Sequence, residues 1–169
     1  MHRAVLSLGA NVGDRADALQ EALDALHEVG RVVAVSSVYE SDPVGGPEQP
    51  DFLNAVALLE TDRSPLALLQ HCLEAEQAAG RVRGERWGPR PLDVDVVTYD
   101  DVVSDDPMLT LPHPRAHERA FVLRPWLDVD PDAVLRGTSV AELLVAVGID
   151  GVRRTDVVLT LGPAREGSR

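Results

Sequence analysis

Lysine is missing from the sequence, and each of the 16 basic residues is an arginine. This absence excludes a P-loop with its lysine, a protein kinase with its strand lysine, and any enzyme that forms a Schiff base through lysine. If the protein handles phosphates, arginine and metal ions must hold them. Cysteine is almost as scarce: Cys72 is the only one, which excludes an internal disulfide and a cysteine zinc cluster.

Long apolar segments are also absent, because no run approaches the roughly 20 residues of a membrane helix. The first residues turn polar too early for a secretory signal. The net charge of −12 argues against a nucleic-acid or membrane-surface binder, whose surface would be basic. These features indicate a cytoplasmic protein. The length of 169 residues fits a single domain, expected over residues 1–165 with a frayed tail at 166–169.

The spacing of apolar residues predicts the order strand, helix, strand, strand, helix, strand over residues 3–99. The predicted strands are 3–8, 31–39, 52–60 and 92–99; the predicted helices are 15–29 and 65–79, capped by Asp14 and Ser64. Later elements are an extended segment at 109–114, a helical stretch at 115–127 interrupted by Pro125, a helix at 139–147 and a strand at 152–161.

This order predicts an α+β fold, specifically a ferredoxin-like sandwich: a mostly antiparallel sheet with helices packed on one face. A Rossmann sheet is disfavoured because no helix joins the two middle strands and no G-x-G-x-x-G motif follows a strand. We expect Gly9 to lie in a turn after the first strand, and Val102 and Val103 to pair back beyond the turn at Asp100.

Asp93 and Asp95 give the strongest chemical signal. Residues i and i+2 of a strand point the same way, about 6.6 Å apart along the chain, while Val94 points to the opposite face. Two carboxylates this close repel each other unless a proton or a divalent cation lies between them, and Mg²⁺ completed by water and phosphate suits them. The alternative is a D-x-D that arises by chance and marks the solvated face of a strand.

A cluster of arginines precedes these aspartates. The segment 81–91 carries a net charge of about +3, because Glu85 is the one acid among four arginines, at positions 81, 83, 86 and 90. Guanidinium groups bind phosphate oxygens bidentately, so the segment is typical of a triphosphate clamp. An exposed loop whose arginines pair with surface acids is the alternative. Glu76 points partly inward from the preceding helix, and we expect Arg81 or Arg83 as its partner.

Two further side chains carry a functional and a structural interpretation. Trp87 either stacks on a planar ligand or anchors its loop on the core. His113, held between Pro112 and Pro114 with Arg119 nearby, either contacts phosphate or is structural.

Residues 80–96, GRVRGERWGPRPLDVDV, closely resemble the pattern of the 6-hydroxymethyl-7,8-dihydropterin pyrophosphokinase family of folate biosynthesis. The resemblance covers most of residues 4–130. It includes the blocks LSLGAN at 6–11, SSVY at 36–39, QPDFLNA at 49–55 and LPHP at 111–114, followed by R-x-F-V-L at 119–123.

The resemblance implies a ferredoxin-like fold and transfer of pyrophosphate from ATP to the pterin hydroxymethyl group, with release of AMP. It implies two Mg²⁺ ions held by Asp93 and Asp95, with ATP as co-substrate. The implied catalytic residues are Arg81, Arg90, Asp93 and Asp95. The implied ATP-binding residues are Arg83, Trp87, Arg90, Val96, Thr110, His113 and Arg119. The implied pterin-binding residues are Ser41, Asp42, Val44, Phe52, Asn54, Trp87 and Phe121. Other folate-pathway enzymes are candidate partners.

Two other classes of protein stay open on the residues alone. A different magnesium-dependent DxD enzyme, such as a nucleotidyltransferase, would release pyrophosphate instead of AMP. A ferredoxin-like nucleotide-binding module without chemistry would bind nucleotide without needing Asp93 and Asp95.

Overall fold

The computed structural model describes residues 1–43, 48–80 and 91–161. Its strands are β1 (His2–Ala10), β2 (Gly30–Val35), β3 (Tyr39–Ser41), β4 (Phe52–Thr61), β5 (Asp93–Tyr99), β6 (Ser104–Asp106), β7 (Leu109–Leu111), β8 (Val134–Leu135), β9 (Thr138–Ser139) and β10 (Val152–Arg154). Its α-helices are α1 (Arg15–Leu26), α2 (Pro65–Ala78), α3 (Ala120–Val129) and α4 (Val140–Val147), with a 3-10 turn at Ala116–Glu118. None of the helices in these ranges is long and apolar enough to cross a membrane.

The main sheet is antiparallel throughout and has the order β10-β3-β4-β1-β5. Strand β4 lies at its centre, pairing with β1 from end to end on one side. On its other side the first half of β4 pairs with β3 and the second half with β2. The predicted α+β fold with a mostly antiparallel sheet is therefore confirmed.

Helices cover both faces of this sheet, so the expectation that they would pack on one face is wrong. Leu19 and Leu23 of α1 and Leu68 of α2 pack on one face. Val122, Leu123 and Trp126 of α3, with Val140 at the start of α4, pack on the other. The reason is that β1 and β4 carry apolar residues on both of their faces, in consecutive positions along each strand. Such continuous apolar runs are typical of strands buried on both sides.

The predicted helix starts are confirmed. Side-chain oxygens of Asp14 and Ser64 accept hydrogen bonds from the backbone N–H groups three residues on, at 3.0 and 3.2 Å, and Ser139 does the same for α4 at 3.1 Å. These bonds satisfy donors that lack a partner within the first helical turn.

Several predicted boundaries differ from the structure. Strand β1 continues through Gly9 to Ala10 instead of turning at Gly9, and the expected strand at 31–39 is divided into β2 and β3. Helix α3 passes through Pro125 without interruption. Val102 and Val103 do not pair; β6 pairs with β7 instead. The late strand is short, ending at Arg154, and the expected frayed tail at 166–169 lies outside the described residues.

Candidate active site

The face of the sheet that carries α3 changes character along its length. At one end it presents Val5, Val56 and Leu58, which pack under α3 and α4. Two residues further along β1 comes Ser7, which lies opposite Asp95, and then Gly9, which lies opposite Asp93 on β5 and Asn54 on β4. The same alternation that buries an apolar patch at one end therefore places polar groups at the other.

This polar end opens into a cavity of about 800 Å³. Its floor is the sheet, and its walls come from the segment after β7, the start of α3, and the chain on either side of Gly151. Residues predicted from the sequence that line it are Ser41, Asp42, Phe52, Asn54, Asp93, Asp95, His113, Arg119 and Phe121. The fold thus brings residues from four separate sequence blocks around one space.

Asp93 and Asp95 are both half-buried at the cavity, while Val94 and Val96 are buried on the opposite face, as the alternation predicted. Two carboxylates on one rigid strand provide the hard oxygen ligands that Mg²⁺ prefers. The described residues hold no cluster of three or more His, Cys, Asp or Glu side chains suited to a metal. An ion bound here would complete its shell with water and substrate phosphate, which is the usual arrangement for Mg²⁺.

Glu76 supports the strand that carries these aspartates. It is only 3% exposed, and its Oε2 accepts a hydrogen bond of 2.8 Å from the backbone N–H of Val94. The expected partners Arg81 and Arg83 lie outside the described residues, whereas the Val94 N–H is a partner that the sequence did not indicate. Burial, together with the nearby carboxylates of Glu76 and Asp95, raises the pKa of the Cys72 thiol to about 12. Cys72 is therefore no thiolate nucleophile.

His113 is fixed against β5 and is electrically neutral at pH 7. Its backbone N–H donates to the carbonyl of Val97 at 2.8 Å, and its ring Nδ1 accepts from the backbone N–H of Arg115 at 3.2 Å. Burial, followed by the positive charges of Arg119 and Arg115, lowers the pKa of His113 to about 4. Since Nδ1 is an acceptor, the proton of the neutral ring lies on Nε2, which is then a donor for an anionic oxygen.

Arg119 brings positive charge to the carboxylate pair. Burial lowers the pKa of Arg119, while the charges of Asp95 and Asp93 act in the opposite direction, so the guanidinium lies within their electrostatic reach. It stays protonated at any physiological pH. Its Cζ atom also lies 5.6 Å from the centre of the Phe121 ring, a cation–π contact that orients both side chains.

The lining of the cavity also combines aromatic rings with buried hydrogen-bonding groups. Phe52 and Phe121 both line it and are half-buried. Asn54, 2% exposed, donates through Nδ2 to the Ser41 hydroxyl at 2.7 Å. Gly9 keeps the floor open between them, because a Cβ there would lie 3.3 Å from Asn54 Oδ1 and 3.8 Å from the Phe52 ring. A flat ligand with polar edges fits such a space.

Some predicted residues are not brought to the cavity. The Val96 side chain is buried on the α1 and α2 side, and the Thr110 hydroxyl donates to the carbonyl of Asp106. Neither lines the cavity, and their assignment to ATP stays a prediction. Val44, Arg81, Arg83, Trp87 and Arg90 lie outside the described residues.

Other cavity residues were missed by the sequence analysis. They are Ser7, Gly9, Pro43, Gln49, Arg115, Glu118, Ala120, Val147, Gly148 and the stretch from Asp150 to Val152. The polar step from Val5 to Ser7 to Gly9 within an apolar strand was a usable signal for the first two. Arg115 and Glu118 form an i,i+3 ion pair at 2.9 Å beside His113, and their spacing was a signal that the prediction did not use. Nothing in the sequence indicated that the C-terminal segment would return to this wall.

Comparison with known proteins identifies this architecture. A family model described as 7,8-dihydro-6-hydroxymethylpterin-pyrophosphokinase (HPPK) matches residues 5–131. The chain is 43% identical over 158 residues to a 2-amino-4-hydroxy-6-hydroxymethyldihydropteridine pyrophosphokinase of Methylorubrum extorquens, covering 92% of this chain and 100% of the relative. It is 48% identical over 145 residues to the protein of the same name in Mycobacterium tuberculosis, covering 80% of this chain and 76% of the relative.

Solved structures share the fold. One described as HPPK-DHPS in complex with substrates matches with a TM-score of 0.70 at 12% identity, over 90% of this chain and 46% of that chain. A Plasmodium falciparum HPPK-DHPS matches with a TM-score of 0.69 at 15% identity, over 90% and 47%. The chain spans about half the length of these proteins, and at such identities the likeness shows the fold alone.

These findings do not favour a different DxD transferase or a non-catalytic nucleotide-binding module. The predicted family is confirmed by a match over most of the chain and by relatives of 43% and 48% identity. The chain belongs to the 7,8-dihydro-6-hydroxymethylpterin-pyrophosphokinase family and is an ATP-dependent pyrophosphokinase of folate biosynthesis.

Proposed function

We propose that the cavity beside Asp93 and Asp95 is the catalytic centre of this pyrophosphokinase, with ATP bound on the His113 and Arg119 side and the pterin between Phe52 and Phe121. The observation that carries this proposal is that the aspartate pair lines one cavity together with Arg119, His113 and the rings of Phe52 and Phe121. The reacting phosphorus and the hydroxymethyl group would meet above these two carboxylates.

Asp93 and Asp95 would hold two Mg²⁺ ions together with the phosphates of ATP. When bound, such ions neutralise phosphate charge and lower the pKa of a coordinated hydroxyl. The contribution of the chain is to fix two carboxylates on a strand whose core side is buried and whose Val94 N–H is held by Glu76. Rigid ligands of this kind need no rearrangement during the reaction.

The cationic wall would bind the triphosphate. Arg119 carries a permanent charge, and the neutral ring of His113 offers the Nε2–H to a phosphate oxygen without adding charge. From the family resemblance, Arg81 and Arg90 would contact the group being transferred, with Arg83 and Trp87 also toward ATP. Val96 and Thr110 would complete the nucleotide contacts.

The aromatic wall would bind the pterin. Phe52 and Phe121 would stack on the two faces of the bicyclic ring, and Asn54 with Ser41 would bind its polar edge. Asp42 borders this end, and Val44 and Trp87 are assigned to it from the family resemblance. Asn54 and Ser41 are buried and already hydrogen-bond to each other, so an analogue without matching groups would leave only their remaining donors and acceptors without a partner, which favours the matching ligand.

In the transfer itself, the pterin hydroxymethyl oxygen forms a bond to the β-phosphorus of ATP. The bond from that phosphorus to the oxygen bridging it to the α-phosphorus breaks, and the electron pair leaves with AMP. The side chains would bind and align the two substrates so that the attacking and leaving oxygens lie in line. The proton of the hydroxymethyl group is released to solvent, so this assignment requires no side chain as general base.

The surroundings of the enzyme are also part of the proposal. We place the reaction in the cytoplasm, where ATP is available, and give the protein no nucleic-acid or membrane partner, consistent with its net charge of −12. Another folate-pathway enzyme is the candidate protein partner. Similar domains occur within longer chains, since the match to the Folic acid synthesis protein fol1 of Schizosaccharomyces pombe covers only 18% of that protein.

The two ends of the cavity can be tested by separate measurement of the two affinities, with pterin binding measured in the presence of Mg²⁺ and a non-hydrolysable ATP analogue. Phe52→Ala should raise the pterin Kd about tenfold through loss of stacking and burial. Arg119→Ala should raise the ATP Kd about tenfold, because a charge-assisted contact with the triphosphate is lost. Leu66→Ala, at an exposed residue of α2 away from the cavity, is the control.

The proposal would be contradicted if Phe52→Ala lowered both affinities equally along with the melting temperature. That result would mean that the ring only packs in the core.

A further inference from the structure

We propose that Arg153, on the C-terminal strand β10, is a positioning residue for the pterin end of the cavity. This inference rests on the proposed function, because it takes the wall near Phe52 and Asp42 as the place where the pterin binds. Arg153 itself touches no substrate in this arrangement; it acts through the carboxylates that it holds.

Strand β10 brings a segment near the C-terminus back to the cavity. It pairs antiparallel with β3, so that Val152 lies opposite Ser41 and Arg153 opposite Glu40. The backbone N–H of Asp42 continues the pairing by donating to the carbonyl of Gly151 at 3.0 Å. Gly151 and Val152 line the cavity as a result, and the C-terminal return forms part of its wall.

The guanidinium of Arg153 contacts three carboxylates at once. Its Nη2 lies 3.1 Å from Glu40 Oε1, its Nη1 donates to Asp42 Oδ1 at 3.2 Å, and its Nη2 also donates to Asp51 Oδ2. Arg15 joins the same group from the start of α1, donating to Glu40 Oε2 and to the Asp51 carbonyl, both at 2.9 Å.

The positions of these acids connect Arg153 to the pterin end. Ser41 and Phe52 are directly opposite each other on β3 and β4. Asp42 follows Ser41 and Asp51 precedes Phe52, so Arg153 bridges the two chain segments immediately beyond that pair. Without the bridge, Asp42 and Asp51 would repel each other and separate, moving the backbone of Ser41 and Phe52. A displacement of the backbone at the wall of a binding site weakens the binding of a ligand that needs close stacking.

The backbone at Gly151 is built for this close approach. Its φ is +78°, and a Cβ at this position would lie 2.7 Å from Asp42 Oδ2. Both the conformation and the space therefore require glycine. The carboxylate of Asp42 thus lies beside the β10 backbone at Gly151 and accepts a hydrogen bond from the Arg153 guanidinium.

A purely stabilising role predicts a different result from a positioning role. The Arg153 side chain is 47% exposed, and exposed ion pairs contribute little to the free energy of unfolding. Positioning predicts instead a selective effect on one substrate. The test therefore compares the two affinities with the melting temperature in the same variants.

The experiment measures the pterin Kd, with Mg²⁺ and a non-hydrolysable ATP analogue present, and separately the ATP Kd. Arg153→Ala should raise the pterin Kd about fivefold and leave the ATP Kd within about twofold, the range expected for coupling through a local network. Arg154→Ala is the matched control, because Arg154 is the exposed neighbour on the same strand and makes no ion pair with the described residues. It should leave both affinities within about twofold.

Two further variants separate charge from packing. Arg153→Lys keeps the charge but not the planar fork, so its pterin Kd should lie between those of the natural protein and Arg153→Ala. Adding Asp51→Asn to Arg153→Ala removes one of the repelling carboxylates and should restore part of the lost affinity. If Arg153→Ala does not fold, Arg153→Gln replaces it, with the same expected rise in the pterin Kd.

Phe52→Ala serves as the reference that separates this inference from the proposed function. If Phe52→Ala weakens pterin binding but Arg153→Ala does not, the positioning role is wrong while the proposed pterin site stands. If neither variant changes the pterin Kd, the pterin does not bind at this end and both proposals fail. An equal rise in the pterin and ATP Kd values for Arg153→Ala, with a lowered melting temperature, would also overturn the positioning role.

Discussion

The two ends of the sheet face under α3 use the same three strands for opposite purposes. At the covered end, Val5 of β1, Val56 and Leu58 of β4 and Val97 of β5 share one apolar cluster with Leu123 and Trp126 of α3. At the open end, the next outward positions on these strands are Ser7, Gly9 and Asn54, with Asp93 and Asp95 on β5 beside them. Helix α3 begins at the border, so its first residues line the cavity while its later turns are buried.

The difference between the ends shows how little backbone change is needed to make a site. The register of β1 with β4 is continuous from His2 to Ala10, and only the side chains change. The apolar end provides the packing energy that fixes the strands, and the polar end uses the fixed strands to hold charges at set positions. Variants at each end should therefore affect different measurements.

Asp95→Asn tests the open end and should have the largest effect on activity. Loss of one negative charge at the proposed magnesium-binding pair should reduce AMP formation at least about 10²-fold, as for other preorganised electrostatic groups. The free energy of unfolding should change by less than about 1 kcal/mol, because Asp95 lies outside the apolar core. Steady-state assays and denaturant unfolding measure the two quantities. Asp101→Asn, in an exposed turn, is the control. Near-normal turnover of Asp95→Asn would mean that Asp95 is not needed for the reaction.

Leu123→Ala tests the covered end. Leu123 is fully buried in the cluster beneath α3, and its truncation should lower the free energy of unfolding by about 3 kcal/mol. Below the unfolding transition, the Kd values of both substrates should stay close to those of the natural protein. Leu66→Ala, at a residue 62% exposed, provides the comparison for stability. A large change in affinity without a loss of stability would mean that the two ends are not energetically separate.

Gly9→Val extends the apolar pattern of the covered end into the open one. The added side chain would meet Asn54 Oδ1 and the Phe52 ring, filling the floor of the cavity. The pterin Kd should rise about tenfold, the scale of an overpacking penalty of 1–3 kcal/mol, with a smaller change for ATP. Isothermal titration of each substrate measures this split, and an unchanged pterin Kd would place the ring elsewhere.

His113→Gln should have the smallest effect, visible as a change in pH dependence. The pKa of His113 is about 4 in the folded protein against an ordinary value of 6.5, so between these values the unfolded state binds more protons. This contribution to stability is complete above pH 6.5 and is lost as the pH falls toward 4. Between pH 7 and 5 the natural protein should lose about 1 kcal/mol more than the variant, after allowance for partial exposure. Parallel pH profiles would mean that the ring is not shielded.

The sequence predicted the central elements because local rules decide them. Alternation defined β5 and the direction of Asp93 and Asp95, and the capping side chains Asp14 and Ser64 defined the starts of α1 and α2. The family resemblance then supplied Phe52, Asn54, His113 and Phe121, which line one cavity together with Arg119.

Other features depend on contacts distant in sequence, which local patterns do not encode. The pairing of β10 with β3 joins residues more than 100 positions apart, so the contribution of Gly151 and Val152 to the cavity was not visible. The break between β2 and β3 and the passage of α3 through Pro125 are likewise set by packing. The continuous apolar runs of β1 and β4 did indicate a second helical layer, because strands of this kind are buried on both faces.

The anchoring of β5 also affects how the protein meets other copies of itself. This strand is the last in the order of the sheet, and an exposed last strand is a template for pairing with another chain. Here the Val94 N–H is occupied by Glu76 and the Val97 carbonyl by the backbone of His113. At the opposite margin, β10 carries Arg153 and Arg154. The groups that support the candidate active site thus also disfavour pairing of the sheet edges with another chain, at one edge through occupied backbone groups and at the other through charged side chains.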